Sequence, residues 1–129
     1  KHPRTRTCMS KTVLIVDDST SLRQVVSMTL KSQGFDVVEG CDGKDALTKL
    51  DGRKISLIVS DLNMPNMDGL TFVREVKKMA AYKFVPIIML TTESDDKLKS
   101  EGQAAGLKAW MVKPFKPEQM IAAVNKLVA

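Results

Sequence analysis

The sequence predicts a doubly wound α/β domain, a parallel sheet with helices on both faces. Short apolar runs rich in β-branched residues recur along the chain, as strands buried on both faces require. Between them lie stretches with apolar residues at helical spacing. Five runs alternate with five such stretches, and a strand-helix-strand alternation builds parallel pairs through right-handed crossovers.

Thr12–Val16 is the first run. Ser19 can cap a helix that sets Leu22, Val25, Val26, Thr29 and Leu30 on one face, and Gly34 stops it. Phe35, Val37 and Val38 mark a second strand, and Ala46, Leu47 and Leu50 a short helix over residues 43–50. Leu57, Ile58 and Val59 form the third strand, which ends at Asp61. After a Pro/Gly loop, Leu70, Val73, Val76 and Met79 or Ala80 keep a helical period, and Pro86 opens a fourth strand through Ile87–Leu90. Residues 95–105 give the weakest helix, with Leu98 its large apolar residue and Gly102 inside it. Ala109–Val112 is a short fifth strand, and Met120, Ile121, Val124, Leu127 and Val128 stripe a final amphipathic helix.

At 129 residues, 43% hydrophobic and 27% charged, the chain has the size and composition of one globular domain. Cys8 and Cys41 make no CxxC pair and no zinc set, so free thiols in a reducing cytoplasm are expected. No apolar run is long enough to cross a bilayer, and no secretory segment follows the basic start. The net charge of +5 overstates affinity for polyanions: from Met9 onward 17 basic residues stand against 15 acidic ones. Residues 1–8 lack any apolar period and are expected to be a disordered leader, the domain spanning 9–129. The single histidine, His2, lies in that leader, which disfavours a mechanism needing a catalytic histidine of this chain.

In sheets of this kind ligands bind beyond the carboxyl ends of the strands. Strand one ends in Asp17-Asp18, strand three in Asp61, strand four in Thr91-Thr92 and strand five in Lys113-Pro114. Two unit charges about 4 Å apart repel by roughly 4 kcal/mol at an effective dielectric near 20. Three converging carboxylates would oppose folding on the scale of a whole domain's stability. Lys113 offsets one charge, and a hard divalent ion such as Mg²⁺ answers the remaining deficit, since it takes carboxylates, waters and a phosphate as ligands. Alternatively the acids point apart or cap the first helix, a good account of any one of them but a poor account of the set.

The Asp17-Asp18 pair, the run Asp61-Leu62-Asn63-Met64-Pro65-Asn66-Met67-Asp68-Gly69, Thr91 and Lys113-Pro114-Phe115 together resemble the receiver domain of two-component response regulators. The similarity spans about residues 11–128 and is nearest to stand-alone, chemotaxis-type (CheY-like) receivers. It implies a flavodoxin-like (βα)5 fold with strand order 2-1-3-4-5, an order carried over from the family. It further implies that Asp61 is the phosphoacceptor, attacking a phosphohistidine of a sensor histidine kinase (CheA-like). Asp18, Asp61 and the Asn63 main-chain carbonyl would hold Mg²⁺, with Asp17 acting through water. Lys113 would pair with the phosphoryl group and Thr91 donate a hydrogen bond to it, as charge-stabilised phosphoryl transfer requires. The Lys113-Pro114 peptide would be cis.

Asn63 and Glu93 resemble the positions that tune dephosphorylation, and this pair is similar to fast-resetting chemotaxis receivers. Trp110 stands where the family has its switch aromatic, and output would run through the fourth helix, fifth strand and fifth helix. A phosphatase is a further expected partner, and the chain is expected to be a cytoplasmic monomer without direct DNA or membrane contact. Asp95, Asp96 and Lys99 depart from flagellar-motor receivers, so a phosphate-sink or non-flagellar chemosensory role stands as the alternative. Met64 and Met67 are expected to pack rather than dock a partner.

A flavodoxin-like cofactor binder fits less well, because a flavin phosphate wants Ser/Thr and free backbone donors where Asp17-Asp18 stands. An aspartate-nucleophile phosphatase would show Asp-x-Asp, and Asp61-Leu62-Asn63 places Asn there. A DNA-binding role lacks a recognition helix or basic stripe.

Overall fold

The computed structural model describes residues 11–92 and 96–128. Its strands are β1 Thr12–Val16, β2 Asp36–Gly40, β3 Leu57–Asp61, β4 Ile87–Thr91 and β5 Ala109–Val112, all parallel, in the order β2-β1-β3-β4-β5. Its helices are α1 Thr20–Lys31, α2 Gly43–Lys49, α3 Gly69–Lys77, α4 Asp96–Ala105 and α5 Pro117–Val128. The register pairs Leu14 with Ile58 and Ser60 with Met89, so β1, β3 and β4 run side by side through the centre. The five alternating strands and helices are those the periodicity predicts, and the strand order is the one the resemblance implies.

Side-chain alternation along the central strands divides the core in two. Leu14, Val16, Ile58, Ile87 and Met89 point to one face and pack with Leu70, Phe72, Val73 and Val76 of the α3 region. Val13, Ile15, Leu57, Val59, Ile88 and Leu90 point to the other, against Val26 and Leu30 of α1 and Met120 and Val124 of α5. Each of these side chains contributes about 1.5–3 kcal/mol on burial. Because both faces of β3 and β4 are covered, the chain reaches solvent only just beyond their carboxyl ends, at Asn63 and Thr92. That is why function collects there.

Helix entries follow the expected chemistry. Ser19 is the N-cap of α1, its hydroxyl accepting from the Leu22 N–H at 3.2 Å. Asp42 and Asp68 cap α2 and α3 through Asp45 N–H and Thr71 N–H, each at 2.8 Å. Gly34, at φ 90°, ends α1 and turns the chain into β2. Phe35 falls in that turn rather than in the strand, its N–H donating to the Leu30 carbonyl. Met64 and Met67 pack against the α3-side core, in line with the packing expected of that loop.

Gly102 weakens α4 as a helix, and the packing explains why glycine stands there. A Cβ would lie 2.5 Å from Leu107 Cδ1 and 3.2 Å from Trp110 Cζ3. Gly69, the first residue of α3, is tighter still, with a Cβ running into the Asp61 carbonyl oxygen and lying 2.8 Å from Leu62 Cα. Those are backbone atoms of the functional loop, which cannot rotate away. Gly69→Ala is therefore expected to cost about 1–3 kcal/mol by forced backbone displacement, read as a lowered midpoint in urea unfolding.

Candidate functional site

The carboxyl ends of β1, β3, β4 and β5 meet at one rim. Asp17 and Asp18 follow β1, and Asp61 is the last residue of β3. Ligand oxygens of Asp17, Asp18 and Asp61 lie within 4.8 Å of one another. Asp17 and Asp61 are buried, at 2% and 6% exposure, while Asp18 faces solvent. The acids therefore converge rather than splay.

The two buried acids are fixed by different sets of donors. Asp17 Oδ1 accepts from the Ser19 N–H at 2.8 Å, and the Asp17 carbonyl accepts from Arg23 Nη1. Arg23 in turn donates through Nε to Glu39 Oε1 at 3.1 Å, tying the β1–α1 turn to β2. Asp61 Oδ1 accepts the Leu62 N–H at 2.9 Å, and Ser60 Oγ donates to the Asp61 carbonyl at 3.0 Å.

Lys113 is the cation between them. Its Nζ donates to Asp17 Oδ2 at 3.3 Å and to Asp61 Oδ1 at 3.2 Å. The Lys113 N–H donates to the Thr91 carbonyl at 2.7 Å, which places the ends of β4 and β5 in step. The Lys113–Pro114 peptide is cis, as the resemblance implies. Thr91 is fully buried at the end of β4.

The charges do not balance among these groups, since three carboxylates cluster where the Lys113 ammonium pairs with Asp17 and Asp61. Burial first, and then the charge of Asp17, push the Asp61 carboxyl above its ordinary range, with Lys113 and the Leu62 N–H opposing. The donor set, three hard carboxylate oxygens on one concave rim, fits a small divalent cation.

The sequence-predicted residues Asp17, Asp18, Asp61 and Lys113 are thus brought together, and Thr91 is joined to Lys113 through the backbone. Asn63 is exposed in the loop that follows β3. Glu93 and Asp95 lie outside the described residues, as do residues 1–8 and the domain's expected start at Met9. Trp110 is half-buried on β5 beside Met89, with α4 closing over it at Gly102. Sequence reasoning missed the Arg23 hold on the Asp17 carbonyl and a contact between Asp42 and Asn66. The Asp42-Gly43 pair before a helical period was a readable cap signal, but nothing in the spacing announces its partner.

Fold and rim define a class: doubly wound α/β domains with an acidic, lysine-closed pocket at the centre of the sheet's carboxyl edge. The chain belongs to the response regulator receiver domain family, whose model matches residues 13–125. It is 38% identical to chemotaxis protein CheY1 of Helicobacter pylori, over 82% of this chain and 87% of that one. It is 33% identical to protein PilG of Pseudomonas aeruginosa, over 88% of this chain and 84% of that one. Among solved structures, Vibrio cholerae chemotaxis protein CheY4 matches with 45% identity and a TM-score of 0.88, covering 92% of this chain and 98% of that chain. The receiver domain of the Pseudomonas aeruginosa sensor histidine kinase PA1611, solved with a magnesium ion in its active-site cleft, matches at 25% identity with a TM-score of 0.84, covering 92% of this chain and 98% of that one. Receiver domains are signalling switches rather than turnover enzymes, and they bind Mg²⁺ in an acidic pocket of the kind seen here. No helix among the described residues is long and apolar enough to cross a membrane.

Proposed function

We propose that the protein is a Mg²⁺-dependent phosphoaccepting switch of chemotaxis type, with Asp61 as the acceptor. The observation that carries this reading is the position of Asp61, buried at a strand end between Lys113 and two further carboxylates. Asp61 Oδ attacks the phosphorus of a phosphohistidine on a CheA-like sensor kinase. The P–N bond breaks with its electron pair going to the imidazole nitrogen, which takes a proton from water, and an acyl phosphate remains. Lys113 pairs with the phosphoryl oxygens, and the Thr91 hydroxyl donates to them. Asp18, Asp61 and the Asn63 carbonyl would hold Mg²⁺, with Asp17 acting through water, and the ion when bound would supply the charge that neutralises the acids and the phosphoryl oxygens. Hydrolysis returns the carboxylate when water attacks phosphorus, and Asn63 with Glu93 sets its rate. Both steps are catalysed by the receiver's own residues.

Output runs through α4, β5 and α5 to a downstream protein. Thr91 moving toward the phosphate frees space beside β5, and Trp110, already half-buried, follows it inward. The phosphoryl group shifts the equilibrium only by its preference for the active form, and a full reversal from 1:99 to 99:1 takes about 5.5 kcal/mol. Exposed Asp96 and half-buried Lys99 on α4 favour a non-flagellar or phosphate-sink target as the second reading. We take the chain from Met9 as the working domain, a cytoplasmic monomer whose further partner is a phosphatase.

The test is treatment with a small phosphodonor, with and without Mg²⁺, followed by intact mass and Trp110 fluorescence. One phosphate adduct that forms only with Mg²⁺ supports the reading. An adduct that persists in Asp61→Asn refutes Asp61 as the acceptor.

A further inference from the structure

The loop from Leu62 to Gly69 joins β3 to α3 and contains Asn63. Its base is closed by the Gly69 N–H donating to the Leu62 carbonyl at 2.7 Å. Near its tip, Asn66 has a left-handed backbone, φ 69°, the only non-glycine residue among those described to do so. Asn tolerates that region better than most residues. Tolerance alone does not hold a loop, however, and the side chain shows what does.

Asn66 Nδ2 donates to Asp42 Oδ2 at 2.9 Å. Asp42 is itself oriented by the helix, because its Oδ1 caps α2 by accepting the Asp45 N–H at 2.8 Å. The Asp45 and Asn66 bonds together hold its carboxyl below the usual carboxylate range. Next to this clasp, Met67 occupies the space that a Cβ on Gly43 would fill, 3.0 Å away. The loop is therefore seated on the first turn of α2 by one polar and one apolar contact, across 24 residues of sequence.

We propose that Asn66 is a positioning residue for the metal pocket: through Asp42 it anchors the loop to α2 and thereby fixes Asn63 relative to Asp17, Asp18 and Asp61. This rests on the reading that the Asn63 carbonyl is a ligand. A bare turn residue would need only its φ; the clasp adds a fixed anchor outside the loop, as outer-shell partners of metal sites do.

Calorimetric titration of the full chain with Mg²⁺ tests it, comparing wild type with Asn66→Asp, Asn66→Gly and the exchanged pair Asp42→Asn with Asn66→Asp. Asn66→Asp sets two carboxylates against each other and is expected to weaken Mg²⁺ binding about tenfold or more. Its added negative charge alone would tighten binding, so the two effects have opposite signs. Asn66→Gly keeps the left-handed backbone and loses only the clasp. It is expected to weaken binding similarly, with a melting temperature close to wild type in the absence of Mg²⁺. The exchanged pair swaps donor and acceptor while leaving an oxygen to cap α2, and is expected to return the affinity to within about threefold of wild type. Equal affinities for wild type and both single variants overturn the clasp while leaving the phosphoacceptor reading standing. So does an exchanged pair as weak as Asn66→Asp. A wild type that takes no Mg²⁺ at millimolar concentration overturns both.

Discussion

Asp61→Asn is expected to abolish phosphate incorporation and, in the absence of Mg²⁺, to melt higher than the wild type. Losing the acceptor carboxylate removes the nucleophile outright, so the adduct disappears rather than slows. The gain in stability follows from the site's charge. Burial and Asp17 hold the Asp61 carboxyl above its ordinary range, so ionising it in the folded protein costs more than in the unfolded chain. An uncharged isostere removes that cost while keeping an oxygen for the Leu62 N–H and Lys113. The difference should be several degrees, about 3–6 °C for a domain of this size. The sign with pH is fixed by the raised value. Above it the wild type bears the full penalty and the variant's advantage is complete. As pH falls through it the wild type takes up a proton and the advantage shrinks, vanishing below the unfolded carboxylate range near pH 4. Mg²⁺ stabilises the wild type by mass action and the variant much less. Thermal melts at neutral and acid pH, each with and without Mg²⁺, read all of this. A variant that melts lower than wild type at neutral pH without Mg²⁺ would show that the acids are not in net repulsion.

Much of this could be read from the amino acids because two of its determinants are local. Buried parallel strands are continuous apolar runs, so β1, β3 and β4 stand out as Thr12–Val16, Leu57–Asp61 and Ile87–Thr91. Once the strands are placed, topology puts their carboxyl ends together, and Asp17, Asp18, Asp61, Thr91 and Lys113 follow. What periodicity could not supply was contact between side chains far apart in sequence. Lys113 serves Asp17 from 96 residues away and Asp61 from 52, and no spacing rule encodes which carboxylate an ammonium will reach. The Arg23 bond to the Asp17 carbonyl is of the same kind, since it depends on the turn geometry that Ser19 sets. Gly102 is the instructive case. Judged by helix propensity it is a flaw in α4, yet Leu107 and Trp110 occupy the place of its side chain. A local cost accepted for close packing cannot be seen until the neighbours are known.

Lys113→Met reverses the stability argument and separates charge balance from chemistry. The ammonium is the cation that the described ion pairs place on Asp17 and Asp61, whose side chains are 3% and 9% exposed. Methionine matches the aliphatic stem and removes the charge, leaving two buried carboxylates in mutual repulsion. Breaking a buried pair by deleting one partner costs about 3–5 kcal/mol. Because the Lys113 side chain is itself 20% exposed, solvent screening brings the cost to just below that range, about 2–3 kcal/mol. Without Mg²⁺ the melting temperature should fall by about 10 °C. Mg²⁺ should more than repair the loss: with the competing ammonium gone, the ion is expected to bind about tenfold more tightly than in wild type. Phosphate uptake should still fall by about 10²–10³-fold even when Mg²⁺ saturates the site, because the charge that meets the phosphoryl oxygens is missing. The two readouts therefore move apart, with metal affinity rising while phosphorylation falls. A variant that loses both in parallel would mean that Lys113 only holds the rim together, and the assignment of its ammonium to the phosphoryl group would fail.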